Sequence, residues 1–275
     1  MKRLAILCAL LAVTAVAFAG GQGEGEFSGD YAFGGSTTVE PVALVAIDVF
    51  MEKYDGLNIS YDSQGSSVGV KGALSGTYAL GGASRELKPA EIDEGAKSVH
   101  VALDGVAVIA NQETITVSNL TFEQVGQIFA GQITNWKEVG GPDAEIAVFN
   151  RDEASGTRDC FKMTVKGVDA SFTDGAAIVT SNGDMVSKVG STPNSIGYCG
   201  FGYIDRDPGI KPISVDGVEP VEDNVKNESY KISRYLNIIY TGELKDGSLE
   251  KAFVDFLLGD EGQAIAAEEG FIPLK

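Results

Sequence analysis

Three times along this 275-residue chain, a short β-branched or aromatic run gives way to a loop of glycine and hydroxyl residues and then to a segment of helical period. In the first unit Asp30–Phe33 reads as strand and Gly34–Thr38 as loop, with Val42, Val45, Val49 and Phe50 as the apolar face of a helix opened by Pro41. In the second, Leu57–Tyr61 leads through Gln64–Ser67 to a helix carrying Val70, Ala73 and Leu74. In the third, Glu145–Phe149 leads through Arg151–Thr157 to a helix carrying Cys160, Phe161 and Thr164. Strands alternating with helices in this way restrict the fold to α/β, with a largely parallel sheet whose ligands sit beyond the carboxyl ends of the strands. All three loops fall on that edge.

A helix start exposes unpaired backbone N–H groups and the positive end of the helix dipole. Three such starts converging on one cleft would hold a tetrahedral oxyanion. Ser36, Thr37, Ser66, Ser155 and Thr157 can add hydroxyl donors, and Arg151 a charge able to hold two oxygens. Such a site needs no cofactor. Any one of these hydroxyls could instead cap its own helix, but three loops of one kind favour a ligand. No metal is expected, because His100 is the only histidine and the cysteines form no C-x-x-C pair.

Met1-Lys2-Arg3, the apolar run from Leu4 to Phe18 and the small-x-small end Ala17-Phe18-Ala19 form the pattern of a secretory signal cut before Gly20. Residues 1–19 are read as that signal peptide, 20–27 as a flexible leader, and the remainder as a soluble, exported, periplasmic protein. Cys8 falls inside the signal, which argues against a lipid anchor. Net charge is −18, and removal of Lys2 and Arg3 from a segment without acids takes it to −20. That field repels nucleic acid and anionic membrane. It repels a small anion too, but salt screens exposed charges beyond about 8 Å, while dipoles in a dry cleft act at contact. Cys160 and Cys199 survive export into an oxidising compartment that permits pairing, and the sequence leaves the disulfide open.

Gly65-Ser-Ser-Val-Gly69 fits the nucleophile-elbow pattern, with Ser67 as nucleophile. His100 follows it too soon to supply the base from a later strand, so a serine hydrolase is a weak alternative. Val99–Leu103 alternates as a strand, Thr121 and Gln124 form a capping box, Arg234–Tyr240 reads as another strand, and Leu249–Glu269 as a terminal helical region.

The segments GSTTVEP (35–41), GSSVGVKGALSGT (65–77), ASRELK (83–88), DGVAVIAN (104–111), LTFEQVGQIFAGQITNWKEVGG (120–141), RDEASGTRDCF (151–161) and SIGYCGFGY (195–203) resemble those of the phosphate-binding proteins of bacterial phosphate importers. The likeness runs from about Tyr31 to Pro273. It implies a two-lobed periplasmic-binding-protein fold of type II, each lobe a mixed, largely parallel sheet flanked by helices, closing over one ligand in the interlobe cleft. It further implies a monomer, not an enzyme, that captures inorganic phosphate with high affinity and delivers it to the membrane permease of an ABC transporter. Carried over position by position, it gives Thr37 and Thr38, Ser66, and Arg151, Ser155, Gly156 and Thr157 as phosphate-binding residues, with Thr38 and Gly156 acting through backbone N–H.

One departure bears on selectivity. Some family members place an aspartate after the Ala-Ser pair to accept the proton of hydrogen phosphate, and here that position is Arg85. An acceptor explains discrimination, because sulfate carries no proton near neutral pH and would meet uncompensated repulsion. Asp104 is the candidate acceptor, with Arg85 as a further donor or as the partner of Asp104; a turn aspartate before Gly105 is the competing reading. Ala79, where the family usually has Asp, is a second departure. The expected boundaries are 28–104 plus 241–275 for lobe I and 105–240 for lobe II, with crossing strands near Asp104 and Tyr240. Sulfate or molybdate are the alternative ligands.

Overall fold

The computed structural model describes residues 27–165 and 172–275. The expected signal peptide and all of the leader before Phe27 lie outside them. Phe27 itself is packed rather than loose, its ring 4.9 Å from that of Tyr54 and 6.4 Å from that of Phe50.

Strand β1 (Gly29–Gly35) lies parallel to both β2 (Leu57–Asp62) and β3 (Leu80–Ala83). Helices α1 (Glu40–Met51) and α2 (Ser66–Ser75) make the connections, so the first two expected strand–loop–helix units form as read. The short α3 (Pro89–Asp93) then leads into β4 (Ala96–Asn111), the longest strand. Its early part pairs with β10 (Ser233–Thr241) and its later part with β8 (Ser195–Gly200) and β9 (Ile210–Val215). Around that later part stand β5 (Asn119–Leu120), α4 (Phe122–Phe129), β6 (Ala147–Arg151), α5 (Gly156–Thr164), β7 (Ala177–Val179), α6 (Asn182–Ser191) and α7 (Glu222–Lys226). β6 runs parallel to β7 and β8, which completes the third expected unit.

The apolar contacts follow this division. Phe33, Val42, Ile47, Phe50, Leu236 and Phe253 belong to one core, and Leu120, Ile128, Phe129, Trp136, Phe161 and Tyr198 to another. β4 joins them. Val101 and Ala102 lie in the first core, while Val106 and Val108 face the second. Ala107 and Ile109, on the opposite face, pack on Met185 and Val189 of α6. Both faces of β4 are covered from Val106 to Ala110, which is why this part is a continuous apolar run, whereas Val99–Leu103 alternates. β10 hydrogen-bonds to β3 and to Ala96–Gly105 of β4, and its Leu236 and Ile238 lie in the first core. The sequence reading had given residues 233–240 to the second lobe.

Thr121 and Gln124 form the expected capping box on α4. Trp136 is fully buried and donates Nε1–H to Asn194 O at 2.8 Å, a packing residue as expected. The terminal helical region is broken: α8 (Leu249–Leu258) stops at the extended residue Gly259, and α9 (Asp260–Glu268) begins beyond it. Cys160 and Cys199 are free thiols in different cores, so the open question of pairing resolves against a disulfide. Among the described residues no helix is long and apolar enough to cross a membrane.

Candidate functional site

The starts of α1, α2, α5 and α6 converge where the two lobes meet. Ser36 Oγ accepts from the N–H groups of Thr38 (3.1 Å) and Val39 (3.4 Å), the two residues just before α1. Thr38 was expected to act through its N–H; that group is turned to Ser36, and the Thr38 hydroxyl faces the other lobe instead. It lies 3.1 Å from Thr157 Oγ1 at the start of α5. Thr37 Oγ1 accepts from Arg151 Nη2 at 3.2 Å, and Tyr203 donates its hydroxyl to Thr37 O at 2.7 Å. Thr37, Thr38, Ser66, Ser155 and Thr157 are all buried.

Two glycines let the lobes approach. A Cβ on Gly156 would lie 2.3 Å from Ser66 Oγ and 2.8 Å from Ser84 Oγ, so any side chain there forces the start of α5 away from the start of α2. Gly65 has φ +99, and its Cβ would meet Ala154 O at 2.9 Å. Across this contact Ser67 N donates to Ala154 O at 3.1 Å. Ser155 does cap its own helix, accepting from Arg158 N at 3.2 Å. Ser66 does not; its Oγ accepts from Ser84 N at 3.0 Å.

Arg151, at the end of β6, is 1% exposed. Nη2 donates to Thr37 Oγ1 and to Thr180 O (2.9 Å), whereas Nε and Nη1 have no hydrogen-bond partner among the described residues. Burial lowers its pKa, against the opposing pull of Tyr198 and Asp152, and the nearby charge of Arg234 adds to the lowering. A guanidinium stays protonated even so.

Asp104 is fully buried, and its partner is Arg234, not Arg85. Arg234 donates Nε–H (3.1 Å) and Nη2–H (2.8 Å) to Asp104 Oδ2, while Phe201 N–H donates to Oδ1 at 3.0 Å. Burial pushes the Asp104 carboxyl up, against the opposing pull of the Arg234 charge and these hydrogen bonds. Arg85 has other work. Its Nη1 donates to Glu86 O and Glu91 Oε2, its Nη2 to Glu91 Oε1 and Ser67 Oγ, and its Nε lies 3.1 Å from Asp159 Oδ2. The four Nη hydrogens of Arg85 are thus directed to Glu86, Glu91 and Ser67, while Nε faces Asp159 as an ion pair without a hydrogen bond; none of these partners is Asp104. Asp159 is on α5 and Glu91 on α3, so Arg85 ties the lobes together.

The sequence reading missed Asn182 and Arg234. Asn182 opens α6 after the Ser181 cap; its Nδ2 donates to Thr37 Oγ1 (3.1 Å) and Thr38 Oγ1 (2.9 Å). The preceding β7 and this helix are a fourth strand–loop–helix unit, too short in its strand to stand out. Arg234 had a visible signal: it is the one charge within the apolar strand Ser233–Thr241.

The electrostatic outcome is simple. Among the described residues four charged side chains are buried, and Arg85 is matched by Glu91 and Asp159. The crevice keeps Arg151 and Arg234 against Asp104 alone. One buried positive charge is left without a buried counter-charge, though partly buried Asp152 also acts on Arg151, and it stands beside guanidinium N–H groups with no acceptor among the described residues. Burying such a charge is costly unless an anion joins it.

Residues 20–261 match the family model described as PBP superfamily domain. The chain is 36% identical to the phosphate-binding protein PstS of Borreliella burgdorferi over 88% of this chain and 89% of that protein. It is 32% identical to PstS of Bacillus subtilis, over 92% and 83%. Among solved structures, a phosphate ABC transporter substrate-binding protein of Clostridium perfringens with bound phosphate is similar at TM-score 0.84 and 40% identity. That match covers 90% of this chain and all of the other. A phosphate transport receptor of Vibrio cholerae aligns at TM-score 0.73 and 29% identity, over 88% and 99%. With its mixed α/β lobes joined by β4 and β10, this chain belongs to the PBP superfamily and, within it, to the family of PstS phosphate-binding proteins.

Proposed function

We propose that this protein captures inorganic phosphate in the crevice between its lobes and delivers it to the membrane permease of an ABC importer. The observation that carries the reading is the guanidinium of Arg151, buried with Nε and Nη1 unpaired among the described residues and next to the hydroxyls of Thr37, Thr38 and Thr157. Arg151 would hold two phosphate oxygens as a planar fork. The hydroxyls of Thr37, Thr38 and Ser66, and the first turn of α5 at Ser155, Gly156 and Thr157, supply neutral donors and a dipole end. Asp104 is the carboxylate assigned to sense the phosphate proton: Oδ1 accepts one hydrogen bond from Phe201 and keeps a second lone pair.

Lobe I would comprise residues 28–104 plus 233–275 and lobe II residues 105–232, since β10 pairs within the first sheet; the second crossing moves from Tyr240 to about Ser233. A phosphate touching both lobes stabilises the closed form by its difference in affinity for the two states. The permease would read that closed shape. The reading includes export through a cleaved signal, a periplasmic location and action as a monomer without nucleic acid. Binding without catalysis is supported by the surroundings of the two hydrolase candidates. Ser67 Oγ accepts from Arg85 at 3.3 Å, and His100 stacks on Tyr235 with ring centroids 4.0 Å apart.

The test is isothermal titration of anion-stripped protein with phosphate and then sulfate at pH 5 and pH 8. One-to-one phosphate binding without a sulfate response is expected; binding of sulfate or molybdate in preference to phosphate would overturn the ligand.

A further inference from the structure

We infer that Arg234 is a second anion-binding guanidinium, aimed by Asp104, so that the ligand is held by two arginines of different strands and not by Arg151 alone. The inference rests on the phosphate reading and adds a residue to it. Arg234 is 7% exposed. Its Nε and one Nη2 hydrogen are fixed on Asp104 Oδ2, and the other Nη2 hydrogen reaches Thr38 Oγ1 at 3.2 Å. Both hydrogens of Nη1 lack a partner among the described residues. An ion pair serving only to tie β4 to β10 would satisfy its donors on the surrounding carbonyls, because an unmet buried N–H is costly. Here the carboxylate holds one edge of the guanidinium and leaves the Nη1 side free.

The placement favours a shared ligand. Arg151 Nη2 touches the Thr37 hydroxyl and Arg234 Nη2 the Thr38 hydroxyl, adjacent residues of one loop that Asn182 Nδ2 also bridges. The two arginines are close enough for the charge of Arg234 to act on Arg151. Two guanidiniums forced together in a dry site repel unless an anion lies between them. Asp104 offsets one of the two charges and fixes the geometry of Arg234 through Oδ2, leaving Oδ1 for the phosphate proton, while Arg234 donates to the anion.

The test compares phosphate titration of the wild type with two variants. Arg234→Lys keeps a cation for Asp104 but loses the planar fork, and is expected to weaken phosphate binding about tenfold or more. Arg234→Gln combined with Asp104→Asn replaces the ion pair by a neutral one, so that no unpaired buried charge endangers folding. Its phosphate Kd should rise about a hundredfold, with a cooperative melt kept and the phosphate-induced rise in Tm largely gone. Wild-type phosphate affinity in either variant would overturn the role of Arg234 and leave the phosphate reading intact. Absence of phosphate binding by the wild-type protein would overturn both.

Discussion

Arg234 and Asp104 stand directly opposite each other on the antiparallel strands β10 and β4, one step before the ladder between the two strands ends at Ser233 and Gly105. Both strands pass from one lobe towards the other at this point. A buried ion pair at that crossing fixes the two strands relative to each other and places charge at the back of the crevice, where the lobes must close on the same ligand. On the proposed reading, the residues that bind phosphate and those at the lobe crossing are therefore neighbours.

Replacing Arg151 by Ala removes the unpaired donors of Nε and Nη1 together with the charge. A charged hydrogen bond to a buried anion contributes about 1.5–3 kcal/mol, so phosphate affinity should fall by more than tenfold. Titration calorimetry on the anion-stripped variant measures this directly, and near-normal affinity would move the site elsewhere.

Asp104→Asn keeps the size of the side chain but removes the proton acceptor. Phosphate should lose its advantage over sulfate, read as a smaller ratio of the two dissociation constants at pH 8. An unchanged ratio would remove Asp104 from the acceptor role while leaving its contact with Arg234.

Gly156→Ala inserts a methyl group where only 2.3 Å separates the added Cβ from Ser66 Oγ. Forced overpacking of this kind costs about 1–3 kcal/mol, here felt on closure under the proposed assignment of Ser66 and Gly156 to different lobes. Weaker phosphate binding and a larger radius of gyration by X-ray scattering with phosphate present are expected. A closed, full-affinity variant would show that the lobes meet less tightly than this contact requires.

Acid should loosen the tie made by Arg85. Burial pushes the Glu91 carboxyl up, but the hydrogen bonds from Arg85 and the Lys88 N–H and the Arg85 charge outweigh it and hold it below the usual carboxylate range. For a lowered carboxyl the unfolded chain binds more protons within that window. The stabilisation is therefore complete above the usual carboxylate range and is lost as pH falls through it towards the lowered value. The gap in Tm between the wild type and Glu91→Gln should narrow from pH 7 to pH 3, and a gap independent of pH would contradict this account.

Cys160 and Cys199 are buried, and burial pushes both thiols above their ordinary pKa. Neither should react with iodoacetamide while the protein is folded at neutral pH, since the thiolate is the reactive form. Both should be alkylated after denaturation without reductant; mass spectrometry finding them linked would reverse the assignment.

The sequence alone determined the three strand–loop–helix units and hence the placing of Thr37, Ser66, Arg151 and Thr157 at one edge of the sheet. Those features are local: apolar period, glycine loops and helix starts are written within some twenty residues of each other. The tertiary structure decided which charges meet. Asp104 and Arg234 are 130 residues apart in sequence, and their pairing depends on β10 returning beside β4. Arg85, next to the crevice in sequence, is drawn out of it by Glu91 and by Asp159 from the opposite lobe. Coulomb attraction has no sequence period, so the partner of a buried charge is fixed only when packing brings distant strands and helices together.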